Sequence, residues 1–159
     1  MKRRAFPALF VIGGLAVGLL AGCASGGDKK AMGSGDVVAD RQRLMRLQGA
    51  SMGDISAKMR AGNVEAVAVN AETLALTARH IPALFPPGST SPTSRAKPEI
   101  WQKRAEFDGY AKSLETQATR VATLARAKDQ AGAQAAIAEM GRTTCTGCHD
   151  AFRGPEIKR

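Results

Sequence analysis

Between Val37 and Thr144, apolar residues return every three or four positions in four successive stretches separated by breakers. That periodicity commits the chain to helices that meet along narrow apolar stripes. The first stretch runs from about Val37 to Ala61, carries Leu44, Met45, Met52, Ile55 and Met59, and has Gly62 placed to end it. The second opens with Asn63 as its expected N-cap, carries Val64, Val67, Ala71, Leu74, Ala78 and Ile81, and is closed by Pro82, Pro86 and Pro87. A loop, PPGSTSPTSRAK, leads to Pro98, a residue suited to a first helical turn. The third stretch then carries Ile100, Phe107, Ala111, Leu114, Ala118, Val121 and Ala125. The fourth starts near Asp129, passes through Ile137, Met140 and Thr144, and stops before Gly154-Pro155. Four amphipathic helices with mostly short connections predict an all-α, antiparallel up-down-up-down four-helix bundle. Aromatics are only 4% of a chain that is 44% hydrophobic, so the core must be built of Ala, Leu, Val, Ile and Met, which argues against an all-β architecture. With 159 residues there is room for one ordinary domain and none for a large multidomain enzyme.

The N-terminus reads differently. Lys2-Arg3-Arg4 followed by an apolar run from Ala5 to Leu20 has the charged and hydrophobic regions of a secretory signal. Leu20-Ala21-Gly22-Cys23 is similar to the lipobox of bacterial lipoproteins, in which the cysteine is acylated and becomes the new N-terminus. The competing reading, an uncleaved membrane helix, needs about 20 apolar residues, and this run is shorter and broken by Pro7, Gly13, Gly14 and Gly18. The expected organisation is a signal peptide over 1–22, a lipidated Cys23 with a Gly-rich linker over 23–36, and the helical domain over 37–159. As flexible coil, the thirteen residues after Cys23 span about 20 Å, which keeps the domain close to a membrane. Ala24, in place of Asp, resembles outer-membrane sorting on the periplasmic side.

The formal charge falls from +9 to +6 once Lys2, Arg3 and Arg4 are set aside, and no basic block is interleaved with aromatics, so nucleic acid is not an expected partner. The cysteines say more. Besides Cys23 there are only Cys145 and Cys148, in the run CTGCH. CxxCH is the attachment motif of c-type haem: two thiols bind the haem vinyl groups and the adjacent histidine binds iron. On a helix, Cys145, Cys148 and His149 stand at i, i+3 and i+4 and share one face. A zinc site would need His80 as a fourth ligand. A thioredoxin-type redox pair would open a helix after a strand, where here the motif lies near a helix end. Export favours haem, since this attachment occurs outside the bacterial plasma membrane.

CTGCHDAFR near the C-terminus, RQRLM near the start of the first helix, IPALFP closing the second and KPEIW opening the third resemble the class II cytochromes c, over about residues 37–155. The resemblance implies a bundle with one covalent haem c on Cys145 and Cys148 and His149 as proximal iron ligand. Low-spin members carry a methionine at the position matched by Met45, and this agrees with topology. The end of the fourth helix lies beside the start of the first, while Met52 stands about 10.5 Å further along the axis and Met59 twice that. Met45 is therefore the expected sixth ligand, with His80 as its rival. By the same resemblance Arg41 and Arg153 approach the propionates or the proximal face; a solvated cation is the plainer reading of each. The main expectation is a lipid-anchored, non-enzymatic carrier of single electrons among redox partner proteins. The alternatives are a five-coordinate haem that binds NO or CO and a cofactor-free structural lipoprotein; a homodimer is left open.

Overall fold

The computed structural model describes residues 35–157. The signal peptide over 1–22, Cys23 and most of the linker over 23–36 lie outside the described residues. Helix α1 spans Val37–Arg60 and is opened by Asp36, whose carboxylate accepts from the N–H groups of Val38 and Ala39. It is closed by a Schellman motif: Gly62, at φ 70°, donates to the Met59 carbonyl and Asn63 donates to that of Lys58. Asn63 thus completes the end of α1 and does not cap the next helix, a correction to the sequence expectation. Helix α2 spans Val67–Ala78 without a side-chain cap. A 3₁₀ turn over Pro82–Leu84 follows.

The expected third helix is broken in two, into α3 (Glu99–Gln102) and α4 (Arg104–Arg126), at Lys103 with φ −114° and ψ 46°. The contacts around the break explain it. Trp101 Nε1 donates to the Pro86 carbonyl at 2.9 Å, and Arg104 donates to the carbonyls of Phe85 and Pro82, at 3.0 Å each. The first turn is therefore tied to the loop before it while α4 follows the bundle axis. The fourth helix is composite: α5 (Gln130–Met140), a π-helical segment over Gly141–Thr146, and α6 (Gly147–Phe152). Asp129 caps α5 by accepting from Gly132 N–H at 2.9 Å.

Helix α2 packs on α1 and on α4, and α4 packs in turn on α5, the π segment and α6. Bonds from Gln48 to Thr77 and from Asn70 to Asp54 fix α1 and α2 antiparallel. Ala71, Ala78, Ala118, Ala125 and Ala133 are fully buried, and these short side chains let helices approach closely. The fourth side of the bundle is looser: α1 and α5 face each other across a cleft of about 250 Å³ lined by Ile55, Ser56, Met59, Arg60, Gln134 and Ile137. No helix among the described residues is long and apolar enough to cross a membrane.

Candidate haem-binding site

The π segment is what aims the CTGCH run. Met140, Thr144, Cys148 and Phe152 recur at steps of four, and in a pure α-helix three such steps drift about 120° around the axis. One residue inserted as a π turn takes back about 100° of that drift, so all four keep facing inward. Their burial agrees: Met140, Thr144 and Phe152 are buried and Cys148 is half-buried. Thr144 satisfies itself within the turn, its hydroxyl donating to the Met140 carbonyl at 2.6 Å, with Cys145 Sγ 3.8 Å away.

Cys145, Cys148 and His149 are all half-buried, straddling the junction of the π segment and α6, and both thiols are free. Burial, with Cys145 adding to it, pushes the Cys148 thiol up to about 11. The sulfur is therefore held uncharged, as it also is in a thioether. The His149 imidazole is held below its usual value, first by burial and then by the cations Arg153 and Arg95, with Asp150 opposing. A neutral imidazole keeps a lone pair for a metal.

The loop before α3 straps down the end of α6. Lys97 N–H donates to the Phe152 carbonyl and Gly154 N–H to that of Arg95, an isolated antiparallel bridge centred on Ala96 and Arg153. Arg95 Nε donates to the Gly154 carbonyl, and Lys97 Nζ donates to those of Asp150 and Ala151. Arg153 itself is exposed, within electrostatic reach of His149. The strapping role of Arg95 and Lys97 has no local signal in the sequence: Arg95 lies in a polar loop, and Lys97 stands out only as the first residue of KPEIW.

An aromatic series leads from α6 back to α1. Phe152 and Phe107 meet edge-on at 5.5 Å, Phe107 and Phe85 at 4.8 Å, and the Arg41 guanidinium lies 4.1 Å above the Phe85 ring. The first turns of α1, with Arg41 and Met45, therefore stand at the same end of the bundle as CTGCH. Met45 and Met52 are half-buried and share a stripe with Met59, which lines the cleft facing α5. Arg41 is buried, and its three nitrogens donate to the Leu84 carbonyl, the Ser89 carbonyl and the Ser89 hydroxyl. These three bonds tie Arg41 to the loop and leave one N–H on each terminal nitrogen. His80 is exposed just beyond α2, and among the described residues no group of three or more His, Cys, Asp and Glu side chains is placed to hold a metal ion.

The donor set fits a haem c. Two thiols and a neutral imidazole stand on adjoining turns of the fourth helix, at the end of the bundle where α1 carries the half-buried Leu44 and Met45. A four-helix bundle carrying CxxCH on its last helix defines a c-type haem protein. A family profile described as Cytochrome C′ matches residues 36–153, and the chain belongs to that family. Its cofactor is one covalent haem c. The chain is 34% identical over 119 residues to a cytochrome c-556 of Agrobacterium tumefaciens, covering 73% of this chain and 95% of that one. It is 32% identical over 143 residues to a cytochrome c′ of Rhodopseudomonas palustris, covering 87% and 96%. A nitric oxide complex of a variant of cytochrome c′ from Alcaligenes xylosoxidans has the same fold, with a TM-score of 0.68 at 26% identity over 77% of this chain and 96% of that one.

Proposed function

We propose that this protein carries single electrons through one haem c held by Cys145 and Cys148, with His149 on one side of the iron and Met45 on the other. What carries the reading is Met45: a half-buried thioether on the inward stripe of α1, at the CTGCH end of the bundle. The haem supplies an iron that cycles between Fe(II) and Fe(III). His149 is favoured in its neutral form by burial and by Arg153 and Arg95, so its lone pair would be available to the iron. A thioether opposite imidazole favours low-spin iron and raises the potential, both suited to electron exchange with little rearrangement. The partners are redox proteins, and no substrate is turned over. A lipidated Cys23 and the linker up to Asp36 tether the carrier to the periplasmic side of a bacterial membrane.

The second reading is a five-coordinate haem that binds NO or CO. The nitric oxide complex of the similar Alcaligenes cytochrome favours it, and the comparisons lean to that side more than to Met45 ligation. Met45 itself is the reason to prefer the carrier. The absorption spectrum decides between them, recorded on protein from a host that matures haem c. The carrier reading expects a low-spin spectrum with a weak far-red Met-to-iron band in the oxidised form. Met45→Leu then abolishes the band, leaves high-spin iron and admits CO. A wild type that is already high-spin and binds CO as readily as the variant establishes the gas binder.

A further inference from the structure

Among the described residues Arg41 is the only charged side chain that is buried, with 5% of its surface exposed. Burying a guanidinium is costly unless every donor finds a partner, and burial indeed holds its pKa below the usual value, with Asp36 opposing. Here each of the three nitrogens makes a bond to one loop. Nε donates to the Leu84 carbonyl, Nη1 to the Ser89 carbonyl at 2.7 Å and Nη2 to the Ser89 hydroxyl, and the plane lies over Phe85. The Ser89 hydroxyl in turn donates to the Pro86 carbonyl at 2.6 Å. The same loop is gripped from the other side by Arg104 and Trp101. The first turn of α1 is thereby riveted to a loop that is itself riveted to α3 and α4. Met45 stands one helical turn beyond Arg41, about 6 Å along the axis.

We propose that Arg41 is a positioning residue: by clamping the start of α1 to the Pro82–Ser89 loop, it fixes how closely the side chain at position 45 covers the open side of the haem iron. The inference rests on the placement of Met45 over the iron, and it applies whether the thioether ligates or merely shields. The planar fork is essential, because a lysine ammonium cannot hold the two carbonyls and the hydroxyl together in that geometry. Ser89 is the loop-side half of the clamp and lies apart from the CTGCH run.

The test is the rate of CO binding to the reduced holoprotein, measured by stopped flow for wild type, Arg41→Gln, Arg41→Lys and Ser89→Ala, with the far-red band recorded alongside. Arg41→Gln should raise the rate about tenfold, equivalent to about 1.4 kcal/mol, with Arg41→Lys between it and wild type. Ser89→Ala should shift it a few-fold in the same direction and keeps the test open if the Arg41 variants fail to fold. A high-spin wild type removes Met45 ligation but leaves the comparison of rates to decide the clamp. Unchanged rates in Arg41→Gln and Ser89→Ala overturn the proposal. So does an Arg41→Gln protein whose only change is a pH-dependent shift of potential, the signature of a propionate partner.

Discussion

The edge of the Tyr110 ring fills the space in which a side chain on Gly147 would begin: its nearest carbon is 3.1 Å from where a Cβ would stand, and the phenol oxygen is 3.5 Å away. Gly147 is the spacer immediately before Cys148 and the first residue of α6. Tyr110 also rests edge-on against Phe152, with centroids 6.0 Å apart. Helix α4 thus presses on the backbone of the haem-attachment turn itself, so closely that a Cβ at position 147 would require the Tyr110 ring to move by a few tenths of an ångström.

Gly147→Ala is accordingly expected to destabilise the holoprotein by about 1–3 kcal/mol, the usual cost of overpacking. Tyr110→Ala in the same chain should recover part of that loss, since the two groups share the contact. Urea midpoints of the four members of the cycle measure both effects. Midpoints for wild type and Gly147→Ala that coincide would refute the close approach.

The join between α4 and α5 holds a local conflict. Lys128 adopts φ 58°, the left-handed conformation that costs a side-chain-bearing residue about 1–2 kcal/mol, in a second Schellman turn where Lys128 donates to the Ala125 carbonyl and Asp129 to that of Leu124. Its ion pair with Glu65, 3.1 Å long between exposed side chains, offsets little of that cost. Lys128→Gly should therefore stabilise the protein by up to about 1 kcal/mol. Asp129→Ala, which removes the cap of α5, should lose about 1 kcal/mol. Thermal unfolding of each, with the haem spectrum unchanged in both, checks the pair; a destabilised Lys128→Gly would refute the strain.

The joins at Gly62–Asn63 and Lys128–Asp129 show what the sequence makes legible. Helix existence followed from apolar spacing and from Asp129 and Gly62, because such signals act within a few residues. Asn63 misled, since an asparagine after a glycine serves a Schellman turn as readily as it caps the next helix. The break at Lys103 depends on Trp101 and Arg104 reaching carbonyls 15 to 22 residues away, which no local pattern reveals. At the site, Cys145, Cys148 and His149 were evident from chemistry and spacing alone. The π turn beneath them was not, although the four-residue recurrence of Met140, Thr144, Cys148 and Phe152 is its trace. The loop partners of Arg41 lie 43 and 48 residues along the chain, beyond what periodicity can reach.

Membrane attachment rests on Leu20-Ala21-Gly22-Cys23, so it has its own test. Cys23→Ser should shift the cytochrome from the membrane fraction to the soluble periplasm, or leave an uncleaved precursor, without altering the haem spectrum. Several acyl chains, each CH₂ contributing about 0.8 kcal/mol, hold a protein durably, so the wild type should stay with the membrane through salt washes that release peripheral proteins. An intact Met1 or an unmodified Cys23 found by mass spectrometry on wild type would refute the anchor.

Haem attachment should also govern stability, because of how α1 is held. Its packing partners are α2 and the turn at Pro82–Leu84, while toward α5 it faces a cleft, and Leu44, Met45 and Met52 remain half-buried where Ile55 and Met59 further along are buried. A haem held by Cys145 and Cys148 at the same end of the bundle would cover that stripe and join α1 to the fourth helix. Cys145→Ala with Cys148→Ala should therefore abolish haem-linked peroxidase staining after denaturing electrophoresis. It should also cost on the order of 4 kcal/mol, the contribution of a ligand held about a thousandfold above its Kd. At this chain length that lowers Tm by about 10 °C or more. The loss should fall first on α1: amide exchange should rise over Val37–Arg60 before it rises over α4, whose buried face meets α2 and α5 together. A double variant that keeps the stain refutes the attachment, and one that loses the stain but melts with the wild type refutes the structural role of the haem.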